Sequence, residues 1–343
     1  MTRTRAMTLA GLTLACLSAC VIADEWAGIQ DTPQRPEHSV RVATYNVLNL
    51  FDDIDDPSLE GDVDDCHSYD KTVRAKPAEQ CRAVAQAIRA IDADVIGLQE
   101  VESYDALIQF REAYLDGMGY DHVASVDVGY SRGVEQSVIS RFPIKEVRVW
   151  PGAELGGVHP ELWNGRPNRY AGDTLRWRRS PLMVTVEVPA GARGNDEAYD
   201  MTIFVVHHKS GRGNEYWREA EADKVIGLIE QQQRMDPNAN VIVMGDFNAQ
   251  PSDLSVRKYI DAGMHWTFEG ESSDDALVTH ESARIIDFIL YSETMKSEVV
   301  DGSAFVQSAP LRPRGADWRT TPTPDGYASD HLPVVVDIVP VDR

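Results

Sequence analysis

The stretch VIVMGDFNAQPSD, residues 241–253, decides both the fold and the place of its chemistry. Four apolar, mostly β-branched residues at 241–244 predict a buried strand, and Gly245 is expected to let the chain turn sharply as it leaves the sheet. Asp246 and Asn248 then stand two positions apart, so on an extended backbone both side chains point toward one ligand. Taken alone, the stretch also fits an ordinary strand followed by an Asx turn.

Composition bounds the partners of this chain. Its 343 residues can bury a large core, as one big domain or two ordinary ones. The 33 basic and 55 acidic residues give a formal charge of −22. A surface of that sign repels polyanions, which argues against long-range attraction to nucleic acid or to anionic membranes. A phosphate-bearing substrate must therefore be held locally, by a metal ion or by a basic pocket.

The N-terminus has the features of an export signal. Two arginines precede an apolar run over residues 7–17, which is too short to span a bilayer as a stable anchor. The tetrapeptide LSAC, residues 17–20, resembles the lipobox of bacterial lipoproteins and so implies that Cys20 becomes the lipidated first residue of the mature chain. Ordinary secretory cleavage, for instance after Ala23, is the alternative. Either route predicts an exported protein.

Three regions follow from these signals. Residues 1–20 form the signal with its lipobox, and residues 21–38, where prolines stand among polar groups, are interpreted as a linker that holds the domain away from the membrane. Residues 39–343 contain no internal repeat or low-complexity tract and are interpreted as one continuous domain. In an oxidising compartment Cys66 and Cys81 are expected to form a disulfide over the acidic segment between them.

Two charged segments each allow two interpretations. Residues 52–65 hold eight carboxylates, a run typical of a solvated loop; a calcium site is the alternative, although the spacing of a calcium loop with its closing Glu is absent. Between residues 155 and 181 periodicity is lost and five arginines gather. Surface ion pairs or a phosphate-contacting loop would explain them equally. They are Arg166, Arg169, Arg176, Arg178 and Arg179.

Polar side chains end or interrupt several apolar runs that lie far apart in the sequence. Helical spacing at 77–91, 104–117 and 215–234 separates these runs, which is the order of an α/β protein. A buried carboxylate that is left alone is costly, so each must be paired, be solvated or bind a cation. Each residue alone also has a structural explanation. The residues are Asn46, Glu100, His207, Asp246, Asn248, Asp287, Asp330 and His331.

Seven motifs in order resemble the endonuclease/exonuclease/phosphatase superfamily over about residues 40–338. They are TYNVLNLF, IGLQEVE, RGVEQSVISRFPI, VVHHKS, VMGDFN, IIDFIL and SDHLP. Any one is weak, but seven in this sequence are specific. The resemblance implies an α/β fold, the four-layered α/β sandwich, in which two mixed β-sheets pack face to face with helices on the outside.

The resemblance also implies a metal site. Asn46 and Glu100 would hold a divalent ion, with Asp330 nearby. Mg²⁺ suits this set because it prefers oxygen ligands and keeps several waters, with Mn²⁺ or Ca²⁺ as alternatives. One departure concerns Leu48, which stands where abasic-site endonucleases carry an acidic residue two places after the Asn.

The catalytic groups are carried over in the same way. The resemblance implies that Asp246 orients or deprotonates the attacking water and that Asn248 positions that water or the phosphate. It further implies that Asp287 holds His331. An imidazole held by a buried carboxylate is oriented and more basic, so it can transfer protons or stabilise a pentavalent transition state.

One histidine is expected to contact the phosphate. His207 and His208 point to opposite faces of a strand, so only one can face a site. The superfamily's histidine lies two residues before Lys-Ser, here Lys209-Ser210, which favours His207 as the donor to a phosphoryl oxygen. Glu135 matches the acidic partner of that histidine.

The sequence therefore predicts a monomeric, metal-dependent phosphoesterase that hydrolyses phosphodiester bonds, with nucleic acid as the first-choice substrate. A phosphatase or a sphingomyelinase-like phospholipid phosphodiesterase is the alternative within the fold, and a lipid anchor on Cys20 makes it plausible. A non-catalytic binding lipoprotein is the alternative of another class. Its signature would be the loss of site residues, and none of the main positions is lost.

Overall fold

The computed structural model describes residues 26–54, 75–271 and 274–342. In chain order its strands are β1 (Val40–Leu50), β2 (Val95–Val101), β3 (His122–Ser125), β4 (Glu135–Ser140), β5 (Ile144–Arg148), β6 (Glu154–Val158), β7 (Leu162–Trp163), β8 (Arg166–Pro167), β9 (Thr174–Arg176), β10 (Leu182–Val188), β11 (Tyr199–His207), β12 (Val241–Asp246), β13 (Met264–Trp266), β14 (Asp287–Ser292), β15 (Phe305–Val306) and β16 (Val334–Ile338). The α-helices are α1 (Ala78–Ile91), α2 (Tyr104–Tyr114), α3 (Glu215–Met235) and α4 (Leu254–Asp261). In these ranges no helix is both long and apolar enough to cross a membrane.

Two six-stranded sheets form the centre of the molecule. The first has the order β15-β16-β1-β2-β4-β3, and the second has the order β13-β14-β12-β11-β10-β5. Only the β1–β2 pair of the first sheet and the β11–β12 pair of the second are parallel, so both sheets are mixed. The strand predicted from VIVMGD is confirmed as β12, which lies inside the second sheet between β11 and β14.

The sheets pack face to face with helices outside. A Cβ added to Gly97 of β2 would lie 2.6 Å from Cε of Met244 and 2.9 Å from a methyl group of Val205, both in the second sheet. The opposite face of the first sheet carries Tyr45 and Leu98 into an apolar cluster with α1 and α2. Helices α3 and α4 pack on the second sheet. The expected four-layered sandwich is confirmed.

Gly245 has a different role from the one its position suggests. It lies within β12 and makes no turn, pairing with Val206 on one side and with Phe288 on the other. Its φ is +141°, and a Cβ would lie 2.0 Å from the Val206 carbonyl oxygen. Glycine is required because the neighbouring backbone approaches too closely for any side chain.

Residues 26–38 do not behave as the linker that was expected. Ile29 forms a β-bridge with Gln307. Nη1 of Arg35 donates hydrogen bonds to both carboxylate oxygens of Asp94, at 3.1 and 2.9 Å. This segment is therefore part of the folded domain.

Several predictions fall on residues outside the described ranges: the signal at 1–20, most of the acidic run, and Cys66. The thiol of Cys81 is described. It is free and buried, and its Sγ donates to the carbonyl oxygen of Lys76 at 3.5 Å. The structure therefore gives no support to the expected disulfide.

Candidate active site

Asp246, the last residue of β12, is at the centre of the site. The Oδ2 atom of this buried carboxylate has four polar neighbours: Nδ2 of Asn248 at 3.0 Å, Nδ2 of Asn46 at 3.3 Å, Nε2 of His207 at 3.4 Å and Nε2 of His331 at 3.8 Å. Burial raises the pKa of Asp246 to about 6. Segments that are up to 285 positions apart in the sequence thus meet at one carboxylate.

Asn248 reaches Asp246 by a turn and not by strand alternation. Its φ is +49°, and its backbone N–H donates to Oδ1 of Asp246 at 2.8 Å, which is an Asx turn. The Asn248 amide also donates to the carbonyl oxygen of His208 at 3.1 Å. Phe247 between them is buried against Phe288, as expected for the core side. The Asx turn itself therefore brings the side chains of Asp246 and Asn248 together.

His331 is held as a cation. Its Nδ1 lies 2.9 Å from Oδ2 of Asp287, the residue that pairs with Asp246 across β12 and β14. Burial alone would lower the pKa of His331, but Asp287 and then Asp246 outweigh it and raise that pKa to about 10. The protonated ring directs Nε2 toward Asp246 and toward Oδ1 of Asp330, 3.9 Å away.

His280 is a site residue that the sequence analysis missed. Its Nδ1 accepts the Ser282 N–H at 2.9 Å, so Nε2 carries the proton and points to Oδ2 of Asp330 at 3.5 Å. Its ring stands at 82° to the ring of His331 with centroids 4.6 Å apart. Burial would raise the pKa of Asp330, but the hydrogen bond from His280 and the charge of His331 hold it well below its usual range. The only signal for His280 was its place just before IIDFIL.

Arg132 is the second missed residue. Its two terminal nitrogens donate to the two oxygens of Glu100, each at 2.9 Å, and Nη2 also donates to Oδ1 of Asn49 at 2.6 Å. Burial would raise the pKa of Glu100, but the charge of Arg132 lowers it. The carboxylate is therefore ionised and fixed in orientation. Arg132 lies within the RGVEQSVIS motif, from which only Glu135 had been singled out.

His207 and His208 point in opposite directions, as expected for neighbours on a strand. His207 faces Asp246 and lies 3.8 Å from Oε1 of Glu100. Burial, and then the charges of Arg179 and Arg132, hold the pKa of His207 well below its usual value, so the ring is neutral. His208 is turned away, with Nε2 3.0 Å from the hydroxyl of Tyr259.

Glu135 is not the partner of His207. The carboxylates within 4.0 Å of His207 in the described residues belong to Glu100 and Asp246. Glu135 instead contacts Asp127 and the backbone N–H of Val128, and burial raises its pKa to about 8. Within the described part of the chain, Nδ1 of His207 is a buried atom without a hydrogen-bond partner.

A pocket of about 370 Å³ opens beside Asp330. Its remaining lining residues are Leu48, His280, Glu281, Ser282, Arg312, Ala316, Trp318 and Tyr327. Behind Leu48, Nζ of Lys76 donates to the Leu48 carbonyl oxygen at 2.9 Å, and burial lowers the pKa of this lysine to about 8. Leu48, at the position that is acidic in abasic-site endonucleases, is therefore an apolar lining residue of this pocket.

The oxygen donors Asn46, Glu100 and Asp330 are of the chemical type that a hard divalent cation prefers. Glu100 and Asp330 are ionised, and Oδ1 of Asn46 accepts one hydrogen bond, from the Leu48 N–H at 3.0 Å. Carboxylate and amide oxygens are the ligands that Mg²⁺ prefers. Among the described residues, two groups of acidic and histidine side chains bring candidate ligand atoms within 4.8 Å of one another: His280–Asp330–His331 and Asp246–Asp287–His331. Glu100 belongs to neither group.

A sequence model of the Endonuclease/Exonuclease/phosphatase family matches residues 43–331. The chain belongs to this family. Members of the Endonuclease/Exonuclease/phosphatase family are hydrolases that act on phosphoester bonds, and they generally use divalent metals. All of the site residues described above lie within the matched range.

Solved structures of the family share the fold at low identity. The human Nocturnin catalytic domain with bound sulfate is 17% identical with a TM-score of 0.54, covering 89% of this chain and 96% of its own. A mannosyl-6-phosphatase from Bacteroides thetaiotaomicron is 18% identical with a TM-score of 0.52, covering 88% and 100%. TDP2 from Caenorhabditis elegans is 16% identical with a TM-score of 0.51, covering 88% and 75% of the respective chains. No curated protein matches the chain.

Proposed function

We propose that this protein is a metal-dependent phosphodiesterase and that its substrate is nucleic acid. One observation carries the proposal: the buried carboxylate of Asp246 lies between two histidines, with Nε2 of His207 3.4 Å and Nε2 of His331 3.8 Å from its Oδ2. Burial raises the pKa of Asp246 and lowers that of His207, whereas Asp287 raises that of His331. Titratable groups whose pKa values are driven apart by their surroundings mark the acid and base of a reaction. Hydrolysis of a phosphodiester needs both, together with groups that bind the anionic phosphate.

Asp246 is the proposed general base. Above its pKa it is ionised, and Oδ2 can accept the proton of a water molecule that attacks phosphorus. The amide of Asn248, 3.0 Å from the same oxygen, would orient that water or a phosphate oxygen. The Asx turn fixes both groups on one short piece of backbone, so little conformational entropy is lost when substrate binds.

The two histidines have different proposed roles. His331, kept positive by Asp287, would donate from Nε2 to a nonbridging oxygen and stabilise the charge that develops in the transition state. His207 is neutral, and its Nε2 would hydrogen-bond a phosphoryl oxygen. Asn46, Glu100 and Asp330 are the proposed ligands of a divalent cation, Mg²⁺ with Mn²⁺ or Ca²⁺ as alternatives, which when bound would supply charge neutralisation at the phosphate.

The test compares substrates and variants in the same assay. Asp246→Asn and His331→Asn should each lower kcat for bis(p-nitrophenyl) phosphate about 100-fold or more, because each removes a proton-transfer or charge-stabilising group. Asp200→Asn and His265→Asn are matched controls. Asp200 pairs with Lys145 and the His265 ring contacts the Glu293 carboxylate, both away from the site. Circular dichroism checks the fold of every variant.

Four outcomes would contradict the proposal. Near wild-type activity of both site variants would remove the assigned acid and base. Hydrolysis that EDTA leaves unchanged would remove the metal. A side-by-side panel of DNA, RNA, sphingomyelin and phosphomonoesters decides the substrate, and a preference for the last two would favour the phospholipid phosphodiesterase or the phosphatase. Turnover of no phosphoester would favour the non-catalytic binding lipoprotein.

We also propose that the protein is exported and anchored through a lipid on Cys20, which the resemblance of LSAC to a lipobox supports. Cys20→Ser should move the protein from the detergent phase to the aqueous phase on Triton X-114 partition, whereas Cys16→Ser should not. Equal partition of the wild type and Cys20→Ser would contradict the anchor.

A further inference from the structure

Three cationic side chains lie over the faces of two aromatic rings near the end of β11. Arg178 lies 5.6 Å from the ring centroid of Tyr170 and 5.3 Å from that of Trp217, whose ring also lies 5.8 Å from Nζ of Lys209. Arg169 lies over the Tyr170 ring at 4.5 Å. We call these five residues, Arg169, Tyr170, Arg178, Lys209 and Trp217, the basic aromatic patch.

The cations of this patch form no direct ion pair with an acidic side chain of the described residues. In the described residues Arg169, Arg178 and Lys209 have no carboxylate within 4.0 Å, whereas Arg176 of the same segment pairs with Glu154 at 2.5 Å. Of the arginines in this segment, Arg176 thus forms a surface ion pair, whereas Arg169 and Arg178 lie over aromatic rings. Burial and then the charge of Arg179 lower the pKa of Lys209 to about 8, against the opposing charge of Glu221.

The patch adjoins the proposed catalytic groups. Lys209 follows His207 by two residues where the chain leaves β11. The neighbour of Arg178, Arg179, donates to the carbonyl oxygen of His208 at 3.4 Å and to Oγ of Ser210 at 3.0 Å. Its charge also acts on His207 and Asp246. Arg179 thus links the segment that carries the patch to the proposed catalytic groups.

We propose that the basic aromatic patch binds the phosphate next to the scissile one in a nucleic-acid strand. The inference depends on the proposed phosphodiesterase function and specifies its substrate. Guanidinium and ammonium groups bind phosphate oxygens, and the aromatic rings beneath them hold these cations in place. In a chain with a charge of −22, a strand must be held by local contacts, and this cluster supplies cationic ones.

Binding is measured without turnover. Labelled single-stranded oligonucleotides of increasing length are titrated in EDTA and followed by fluorescence anisotropy. Arg178→Gln combined with Lys209→Met should raise Kd about tenfold, and the slope of log Kd against log salt should fall by roughly 0.7 for each phosphate that the variant no longer neutralises. Arg178→Gln alone changes an exposed residue, so a rise in Kd in this single variant cannot come from a folding defect. Arg176→Gln removes the same charge from a paired arginine and should change Kd less than twofold.

Activity then separates this inference from the proposed function. The double variant should lose about tenfold more kcat/KM on an oligonucleotide than on bis(p-nitrophenyl) phosphate, because the small ester has no second phosphate. If the wild type hydrolyses the small ester but the double variant binds oligonucleotides like the wild type, the patch proposal is overturned and the phosphodiesterase remains. Failure of the wild type on every ester overturns the proposed function itself. If the double variant loses the wild type's binding to phosphatidylglycerol vesicles but binds oligonucleotides as the wild type does, the patch binds lipid headgroups and the nucleic-acid inference is overturned.

Discussion

Replacing Asp287 by Asn tests whether one carboxylate keeps His331 positive. The amide oxygen can still accept the Nδ1 hydrogen bond at about the observed 2.9 Å, so the charge is removed with little change in shape. In the wild type the pKa of His331 is raised from 6.5 to about 10, with Asp287 first and Asp246 second among the causes that raise it. At about 1.36 kcal/mol per pKa unit, loss of Asp287 should remove roughly 2–3 kcal/mol of the preference for the protonated ring.

The sign of the pH dependence follows from the raised pKa. A histidine whose pKa is higher in the folded state than in the unfolded state stabilises the fold fully below pH 6.5, and that contribution is lost as pH rises through about 10. The difference in free energy of unfolding between the wild type and Asp287→Asn should therefore be largest below pH 6.5 and decrease toward pH 10. Urea unfolding in EDTA measures it, and the NMR shift of the His331 ring proton gives the pKa directly.

A matched control separates this effect from general destabilisation. Asp337→Asn also breaks a buried ion pair, the one with Arg41 at 2.9 Å, but it lies outside the site. It should lower the free energy of unfolding and leave the titration of His331 unchanged. If His331 titrates in Asp287→Asn as it does in the wild type, the assignment of its charge to Asp287 is refuted.

Three further predictions concern the strand, the base and the metal ligand. Gly245→Ala should cost about 3 kcal/mol or more in thermal unfolding, because its Cβ would meet a carbonyl oxygen at 2.0 Å, whereas Gly227→Ala, in a helix with open space around it, should stabilise by up to about 1 kcal/mol. With the pKa of Asp246 at about 6, kcat/KM should rise with pH through that value, and a flat profile would exclude Asp246 as the base. Arg132→Gln leaves Glu100 without its cation, so calorimetry should find Mg²⁺ bound roughly tenfold tighter; weaker binding would mean that Arg132 supports the metal site.

Local patterns in the sequence were enough for most of the fold. The alternation of Val40 and Val42 with their neighbours predicted β1, and helical spacing predicted α1 and α3 with ends within a few residues of those observed. These patterns succeed because the burial of one face determines whether a short segment becomes strand or helix. Local patterns gave the wrong prediction for residues 26–38, which were interpreted as a linker. Its polar composition says nothing about a backbone bridge to Gln307, which is made 278 positions away.

The side-chain geometry of the site was less accessible because it depends on backbone irregularities. Glu100 has the same parity in β2 as Ile96 and Leu98, which face the helices, so regular alternation would direct it away from the sheet interface. Its φ is +66°, and the pairing register shifts between Gln99 and Val101. This bulge changes the direction of the carboxylate. No period in the sequence predicts it, so only the family resemblance placed Glu100 in the site.

The acidity of the chain and an anionic substrate are compatible because the two act at different distances. A charge of −22 spread over the surface is screened within about 8 Å at physiological ionic strength, so it governs encounter more than contact. At contact, a phosphate beside Asp246 would meet the cationic ring of His331 and the buried guanidinium of Arg179, whose charge already acts on that carboxylate. Cations buried near the catalytic groups are screened less than exposed acids farther away. Selectivity for the substrate must therefore come from short-range contacts, and these are the residues whose positions depend on the tertiary fold.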